Sequence, residues 1–101
     1  MPTVLVTGAG RRLGREIALA CARAGWDVAI PFHRSRTGAV QTRREIQALG
    51  RKAVALQGDL SRVADCKRLV REARRKLGRL DALVNSAAEF FPTPLPTVTE
   101  K

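Results

Sequence analysis

Aromatic side chains and long apolar stretches are scarce in this sequence. It contains no tyrosine, one tryptophan and three phenylalanines among 101 residues. No apolar run approaches the roughly 18 residues of a membrane-spanning helix, and the N-terminus lacks the basic and apolar regions of a signal peptide. Cys21 and Cys66 fit no metal-binding spacing and fall within helical patterns, where cysteine usually acts as a small buried hydrophobe. These absences predict a cytoplasmic protein that has no membrane contact and binds no metal.

Acidic residues are also few. Nine Asp and Glu residues stand against 19 Lys and Arg, which gives a formal net charge of +10. Such an excess is compatible with a nucleic-acid-binding surface or with helices whose solvent-facing sides are rich in arginine. The basic residues concentrate in stretches such as TRREIQ (42–47) and VREARRKLGR (70–79), with no aromatics between them. We therefore expect no nucleic-acid partner, and a small anionic ligand needs only a few of these charges.

The sequence shows a regular alternation of strand and helix patterns. Short apolar runs predict strands at 3–7, 27–32, 53–57 and 80–85. Helical spacing predicts helices over 14–24, 37–49 and 61–77, each followed by a glycine, with Ser61 capping the third. The positions expected to face inward are Leu13, Ile17, Ala20, Cys21 and Ala24 in the first helix, Ala39, Thr42, Ile46 and Leu49 in the second, and Val63, Cys66, Leu69, Val70, Ala73 and Leu77 in the third.

This alternation predicts repeated βαβ units. Such units form a parallel sheet with helices on both faces, which is a Rossmann-type, doubly wound α/β fold. In these sheets, ligands bind at the carboxyl ends of the strands, near the point where the strand order reverses. Each unusual stretch of the chain follows a predicted strand, at 8–14, 33–35, 58–60 and 85–92. We therefore expect these four stretches to form one ligand site.

The first of these stretches is rich in glycine. A glycine loop between a strand and a helix lets the backbone approach a pyrophosphate, which the helix N-terminus then stabilises. The dinucleotide fingerprint Gly-x-Gly-x-x-Gly fails, because Leu13 stands at its third glycine. The pattern Thr-Gly-x-x-x-Gly-x-Gly fits over residues 7–14, except that Arg12 replaces the middle glycine.

The second stretch bears on the choice of dinucleotide. An acidic residue about 20 residues past the loop binds the ribose 2′-hydroxyl of NAD, whereas a basic residue accommodates the 2′-phosphate of NADP. Here the chain offers His33, Arg34 and Ser35 and no acid, and Arg11 and Arg12 add guanidinium groups suited to phosphate. This predicts NADPH as the cofactor. Arg34 could instead be a solvated loop charge, and His33 could be a loop residue with an ordinary hydrogen bond.

Three segments together resemble the N-terminal half of a short-chain dehydrogenase/reductase. Residues 7–14 resemble the cofactor loop of that family, and Asp59-Leu60 matches its adenine-binding acid and neighbour. Residues 85–88 resemble its Asn-Asn-Ala-Gly segment, with Ser86 and Ala88 as departures. Two residues keep an alternative role, because Asp59 could cap the third helix and Asn85 could be a turn residue. The resemblance implies hydride transfer and the cofactor-binding residues Gly8, Arg11, Arg12, Leu13, Gly14, His33, Arg34, Ser35, Asp59, Leu60, Asn85, Ser86 and Ala87.

Further details are similar to pteridine reductases within that family. These are Arg12, the segment 33–35, and Phe-Phe-Pro-Thr-Pro-Leu at 90–95. The similarity implies that Arg12 and Phe90 contact a pterin or another carbonyl or imine substrate. Phe90 and Phe91 could also be core residues. Ala88 departs from the subfamily, in which many members carry a serine of the substrate pocket at that position.

The catalytic residues of that family are missing from these 101 residues. Members use a serine and a Tyr-x-x-x-Lys unit, and this sequence has no tyrosine. A capping box at 97–100 also predicts a helix that the sequence does not continue. We therefore expect residues 1–101 to be the N-terminal cofactor-binding part of a single Rossmann-fold domain. The remainder of the reductase chain would then carry the catalytic residues, and the resemblance implies a homo-tetramer.

Other functions remain open at this point. A short-chain reductase of ketones or 3-oxoacyl thioesters would share the cofactor loop and differ in the substrate pocket. A nucleotide-binding module without chemistry would fit a chain that ends naturally at Lys101. A nucleic-acid binder would use the charge of +10 and would show steep salt dependence.

Overall fold

The computed structural model describes residues 1–10 and 12–86. None of the helices in this range is long and apolar enough to cross a membrane. Four strands alternate with three helices, in the order β1 (Thr3–Thr7), α1 (Arg12–Arg23), β2 (Asp27–Phe32), α2 (Arg36–Ala48), β3 (Ala53–Gln57), α3 (Val63–Leu77) and β4 (Ala82–Asn85).

The four strands form one parallel sheet in the order β3-β2-β1-β4. Thr3 lies opposite Asp27 across β1 and β2, and Leu5 lies opposite Leu83 across β1 and β4. The chain therefore runs outward from β1 to β3 and then crosses to the other side of β1. That reversal places the switch point of the sheet between the carboxyl ends of β1 and β4.

Helices cover both faces of the sheet. Successive strand side chains point to opposite faces, so β1 contributes Val4 and Val6 to one core and Leu5 to the other. The first core includes residues of α1 and α2, and the second includes Leu69 and Leu77 of α3. The prediction of a doubly wound parallel α/β sheet is confirmed.

The element boundaries follow the prediction closely. The first three strands have the predicted limits, whereas β4 begins at Ala82, two residues later than expected. Helix α2 begins and ends one residue early. The prediction that Ser61 caps α3 was wrong, because Arg62 occupies the cap position and makes no side-chain capping bond. Ser61 instead donates from its N–H and its hydroxyl to the Asp59 carboxylate.

The predicted inner face of α1 was wrong in part. Among the buried residues of α1, Gly14, Ala18 and Ala22 recur at every fourth position and form a ridge of small residues, and Leu19 is also buried. Because this ridge faces the sheet, Leu13, Ala20 and Ala24 are exposed. Ile17 and Cys21 are partly buried against the same core. Leu49, Val63 and Val70 were also expected inside and are exposed.

Candidate functional site

The loop after β1 meets the first turn of α1 at very close range. Gly8 has a φ of 71°, a backbone conformation that glycine adopts readily. A Cβ atom added at Gly14 would overlap the carbonyl group of Gly8 and would lie 2.7 Å from the Ser86 hydroxyl. Gly14 therefore allows the loop after β1, the first turn of α1 and the Ser86 side chain after β4 to converge at the switch point.

Helix α2 holds the same loop from another side. A Cβ atom added at Gly38 would lie 2.5 Å from the Gly10 carbonyl oxygen, so the loop and the helix touch through two glycines. One turn later, the fully buried Thr42 donates a hydrogen bond of 2.9 Å from its hydroxyl to the Ala9 carbonyl. The loop is thus positioned by steric contact and by one long-range hydrogen bond.

Arg12 lies at the start of α1 with an unusual backbone. Its φ is 51°, and it is the one non-glycine residue with positive φ among the described residues. This left-handed conformation explains why a glycine suits the position, since a Cβ atom is disfavoured there. The side chain is exposed, and so is its neighbour Leu13 at 69%. Arg11, which was also predicted to contact phosphate, lies outside the described residues.

The carboxyl ends of β1 and β4 are joined by side chains. The Thr7 hydroxyl donates to the Asn85 amide oxygen at 2.8 Å and accepts from the Ser86 N–H at 3.0 Å. The Ser86 hydroxyl donates back to the Thr7 carbonyl. Asn85 is the last residue of β4, so its side chain braces the strand end beside the glycine loop. Ala87 lies outside the described residues.

The segment after β2 is exposed and basic. His33, Arg34 and Ser35 are all exposed. Ser35 occupies the cap position of α2, but its side chain makes no capping hydrogen bond. The next residue, Arg36, places its guanidinium 5.1 Å from the centre of the Phe32 ring, a cation–π contact. The segment thus presents the Arg34 guanidinium, the His33 imidazole and the Ser35 hydroxyl to solvent.

Asp59 lies beside that segment at the end of β3. One carboxylate oxygen accepts the Ser61 N–H and hydroxyl at 2.9 and 2.7 Å, and the other lies 3.9 Å from His33 Nε2. Hydrogen bonds from Ser61, chiefly from its hydroxyl, hold the pKa of Asp59 below its usual value, with a smaller contribution from His33. Asp59 does not cap α3, because the N-cap position of that helix is Arg62. Leu60 is 39% exposed.

The described residues of the four predicted stretches, which for the last stretch are 85 and 86, lie at the same edge of the sheet, because the strands are parallel and each stretch follows a carboxyl end. His33 and Asp59 are in direct proximity, and Thr7, Asn85 and Ser86 form one network with the glycine loop. Phe90, the predicted substrate contact, lies outside the described residues. The described part of the chain holds no cluster of three or more His, Cys, Asp or Glu side chains that could bind a metal.

Sequence reasoning missed two residues that shape the loop. Gly38 was not assigned a role, although a glycine inside a helix costs roughly 1 kcal/mol relative to alanine and therefore signals close packing. Thr42 was placed correctly on the inner face, but its bond to Ala9 joins residues that are 33 positions apart. That pairing depends on the tertiary fold.

The residues at this edge fit a nicotinamide dinucleotide. Gly10 and Gly14 let the loop backbone pack directly against α2 and against Gly8, and the loop leads into the N-terminus of α1, where free backbone N–H groups suit a pyrophosphate. Exposed cationic groups lie at Arg12, at the start of α1, and at Arg34, two residues before the start of α2. A polyanionic ligand suits this arrangement of charge and open backbone.

Comparison with known proteins supports this assignment. The family described as short chain dehydrogenase matches residues 2–100. A hydroxynaphthalene reductase of Aspergillus fumigatus is 47% identical over 96 residues, an alignment that covers 94% of this chain and 35% of that protein. The chain therefore spans about a third of the length of this curated relative.

Solved structures agree at the level of the backbone. An acetoin dehydrogenase from Enterobacter cloacae superposes with a TM-score of 0.81 at 33% identity, covering 94% of this chain and 39% of that one. A putative short-chain alcohol dehydrogenase from Sinorhizobium meliloti gives 0.78 at 39% identity, covering 99% and 38%. With the family match spanning nearly all residues, this chain belongs to the short-chain dehydrogenase/reductase family of oxidoreductases, whose members use a nicotinamide cofactor.

Proposed function

We propose that the protein is the cofactor-binding, N-terminal part of an NADPH-dependent short-chain reductase. The observation that carries this proposal is the segment after β2, which exposes Arg34 and Ser35 and contains no acid. An acidic side chain there would repel a 2′-phosphate and bind the hydroxyl of NADH instead. The uncommitted Ser35 hydroxyl adds a donor beside the guanidinium.

Each stretch at the carboxyl edge has a role in this proposal. The backbone of residues 8–14 and the Arg11 and Arg12 side chains bind the pyrophosphate. His33, Arg34 and Ser35 bind the 2′-phosphate, while Asp59 and Leu60 border the adenine. Asn85, Ser86 and Ala87 border the nicotinamide end. The bound cofactor supplies a hydride, and the residues of this chain orient it and neutralise its charge.

The substrate that we propose is a flat fused ring with a reducible carbonyl or imine. The pteridine reductase resemblance assigns the contacts to Arg12 and Phe90. The relative with 47% identity is named for hydroxynaphthalene, which is also a fused bicyclic ring. Ketones and 3-oxoacyl thioesters are the alternative substrates, and the acetoin dehydrogenases among the solved structures belong with that alternative.

Binding measurements test the cofactor assignment. Isothermal titration calorimetry with NADPH and with NADH should give a dissociation constant about ten- to hundredfold lower for NADPH. This is the range expected of a charge-assisted contact to one phosphate. Arg34→Ala should remove most of this preference. Arg44→Ala, which deletes an exposed arginine from α2, should leave it intact. Equal affinity for the two cofactors in the wild type would contradict the assignment.

The proposal also concerns the rest of the enzyme. The family's Tyr-x-x-x-Lys unit would lie in polypeptide beyond these 101 residues, in a homo-tetramer of the complete reductase. The intact mass of the isolated protein tests this point. A species larger than 11.0 kDa that oxidises NADPH with a pterin or a hydroxynaphthalene supports the reductase. A single species of 11.0 kDa contradicts it and favours a nucleotide-binding module without chemistry.

A further inference from the structure

Helix α2 physically connects two of the candidate phosphate-binding segments. It begins at Arg36, directly after the exposed segment 33–35, so the helix fixes where that segment ends. Its inner face then contacts the glycine loop through Gly38 and Thr42, which are four residues apart and therefore on one side of the helix. Any shift of α2 relative to the loop would change the spacing between the two segments.

The Thr42 hydroxyl is the specific part of this contact. Thr42 is fully buried and its hydroxyl donates across the core to the Ala9 carbonyl. A threonine hydroxyl inside a helix can bond to a carbonyl of its own preceding turn, but this one bonds to the loop. A buried carbonyl without a donor is destabilised, so the loop is held with the Ala9 oxygen directed at α2.

The orientation of the Ala9 carbonyl also sets the direction of the Gly10 N–H. The Ala9–Gly10 peptide is trans, since the described residues contain no cis bond. In a trans peptide the carbonyl and the N–H point in opposite directions. With the Ala9 oxygen directed at Thr42, the Gly10 N–H is directed away from α2. Among residues 1–10 and 12–86 the Gly10 N–H makes no hydrogen bond, so it is available to a ligand.

We propose that Thr42 is a positioning residue for cofactor binding: through Ala9 it aims the Gly10 N–H at the pyrophosphate and fixes the loop relative to the segment 33–35. The inference rests on the proposed NADPH site and adds a residue on α2 that touches no part of the cofactor. It predicts that the Thr42 hydroxyl raises the affinity for ligands that contact both the glycine loop and the segment 33–35. The affinity for ligands that contact the segment 33–35 alone should not depend on it.

The test compares two ligands in three variants. NADPH spans both segments, whereas adenosine 2′-monophosphate has no pyrophosphate. Thr42→Val keeps the shape and removes the hydroxyl, and it should weaken NADPH binding about tenfold while leaving adenosine 2′-monophosphate binding little changed. Thr42→Ser should restore most of the NADPH affinity. The matched control is Thr3→Val, which removes a buried hydroxyl that has no partner in the described part of the chain and should bind both ligands as the wild type does.

A wild-type measurement supports the test if Thr42→Val does not fold. In proton–nitrogen correlation NMR spectra, the chemical shift of the Gly10 amide should change on addition of NADPH and stay unchanged on addition of adenosine 2′-monophosphate. An unmoved Gly10 signal in NADPH-saturated protein overturns the inference, as does a Thr42→Val variant that binds NADPH normally or loses both ligands equally. A wild-type protein that binds no NADPH overturns the proposed function itself, and the inference with it.

Discussion

The two parts of the carboxyl edge are built in different ways. The glycine loop at 8–14 is held by backbone against backbone, at Gly14 against Gly8 and at Gly38 against Gly10. The outer loops, at 33–35 and 58–61, are held by polar side chains that are at least partly exposed, such as His33 and Asp59. The comparison indicates that steric contacts set the geometry of the glycine loop. In the outer loops, by contrast, a charged side chain can be replaced with little effect on the fold.

The largest effect should follow from adding one methyl group to the glycine loop. In Gly14→Ala the new Cβ atom would overlap the Gly8 carbonyl, so α1 must move away from the loop. We expect a destabilisation of about 1–3 kcal/mol, typical of overpacking, and loss of NADPH binding. Thermal unfolding and calorimetric titration measure the two effects.

The control for this variant is Gly50→Ala. Gly50 has positive φ, but its Cβ atom would meet nothing within 4 Å, and it lies at the opposite end of α2 from the loop. It should lose stability from its backbone conformation alone and retain cofactor binding. If Gly14→Ala binds NADPH as well as Gly50→Ala does, the close contact of Gly14 with Gly8 does not set the loop geometry that NADPH binding requires.

A second prediction separates stability from binding at Arg12. Its positive φ is a strained conformation for a residue with a Cβ atom, so Arg12→Gly should raise the free energy of unfolding by about 1 kcal/mol. The same change removes the proposed phosphate contact and should weaken NADPH binding. Arg12→Ala should weaken binding equally without the gain in stability. Chemical denaturation of both variants distinguishes these effects, and equal stability of Arg12→Gly and Arg12→Ala would show that the backbone is not strained.

The sequence was sufficient to predict the strands, because apolar runs and glycine stops are local signals. It also predicted that the unusual stretches meet at one edge of the sheet, because each of them follows a strand. It did not predict the rotation of α1, where the small residues Gly14, Ala18 and Ala22 face the sheet instead of the larger Leu13. Hydrophobic spacing ranks leucine above glycine as a core residue, whereas the close approach to Gly8 requires the smaller one. The Thr42 bond to Ala9 was equally hidden, since no local pattern encodes a partner 33 positions away.

The smallest effect should come from the outer loops, at Asp59. Because the folded-state pKa of Asp59 is lowered by its bonds from Ser61, its carboxylate stabilises the fold above the ordinary aspartate pKa of about 3.9. That contribution is lost as the pH falls through the lower folded-state pKa. Asp59→Asn should therefore unfold at a slightly lower temperature than the wild type at neutral pH, and the difference should vanish in strong acid.

Asp81 provides a matched comparison at the other edge of the sheet. Its pKa is also lowered, chiefly by Arg79 and then by the Thr3 N–H, which it accepts at 2.8 Å beside the start of β1. Asp81→Asn should show the same dependence of unfolding temperature on pH as Asp59→Asn. Only Asp59→Asn should change the affinity for NADPH, because only Asp59 lies at the carboxyl edge next to the segment 33–35. If both variants bind NADPH as the wild type does, Asp59 serves the turn before α3 and the outer loops select the cofactor through His33, Arg34 and Ser35 alone.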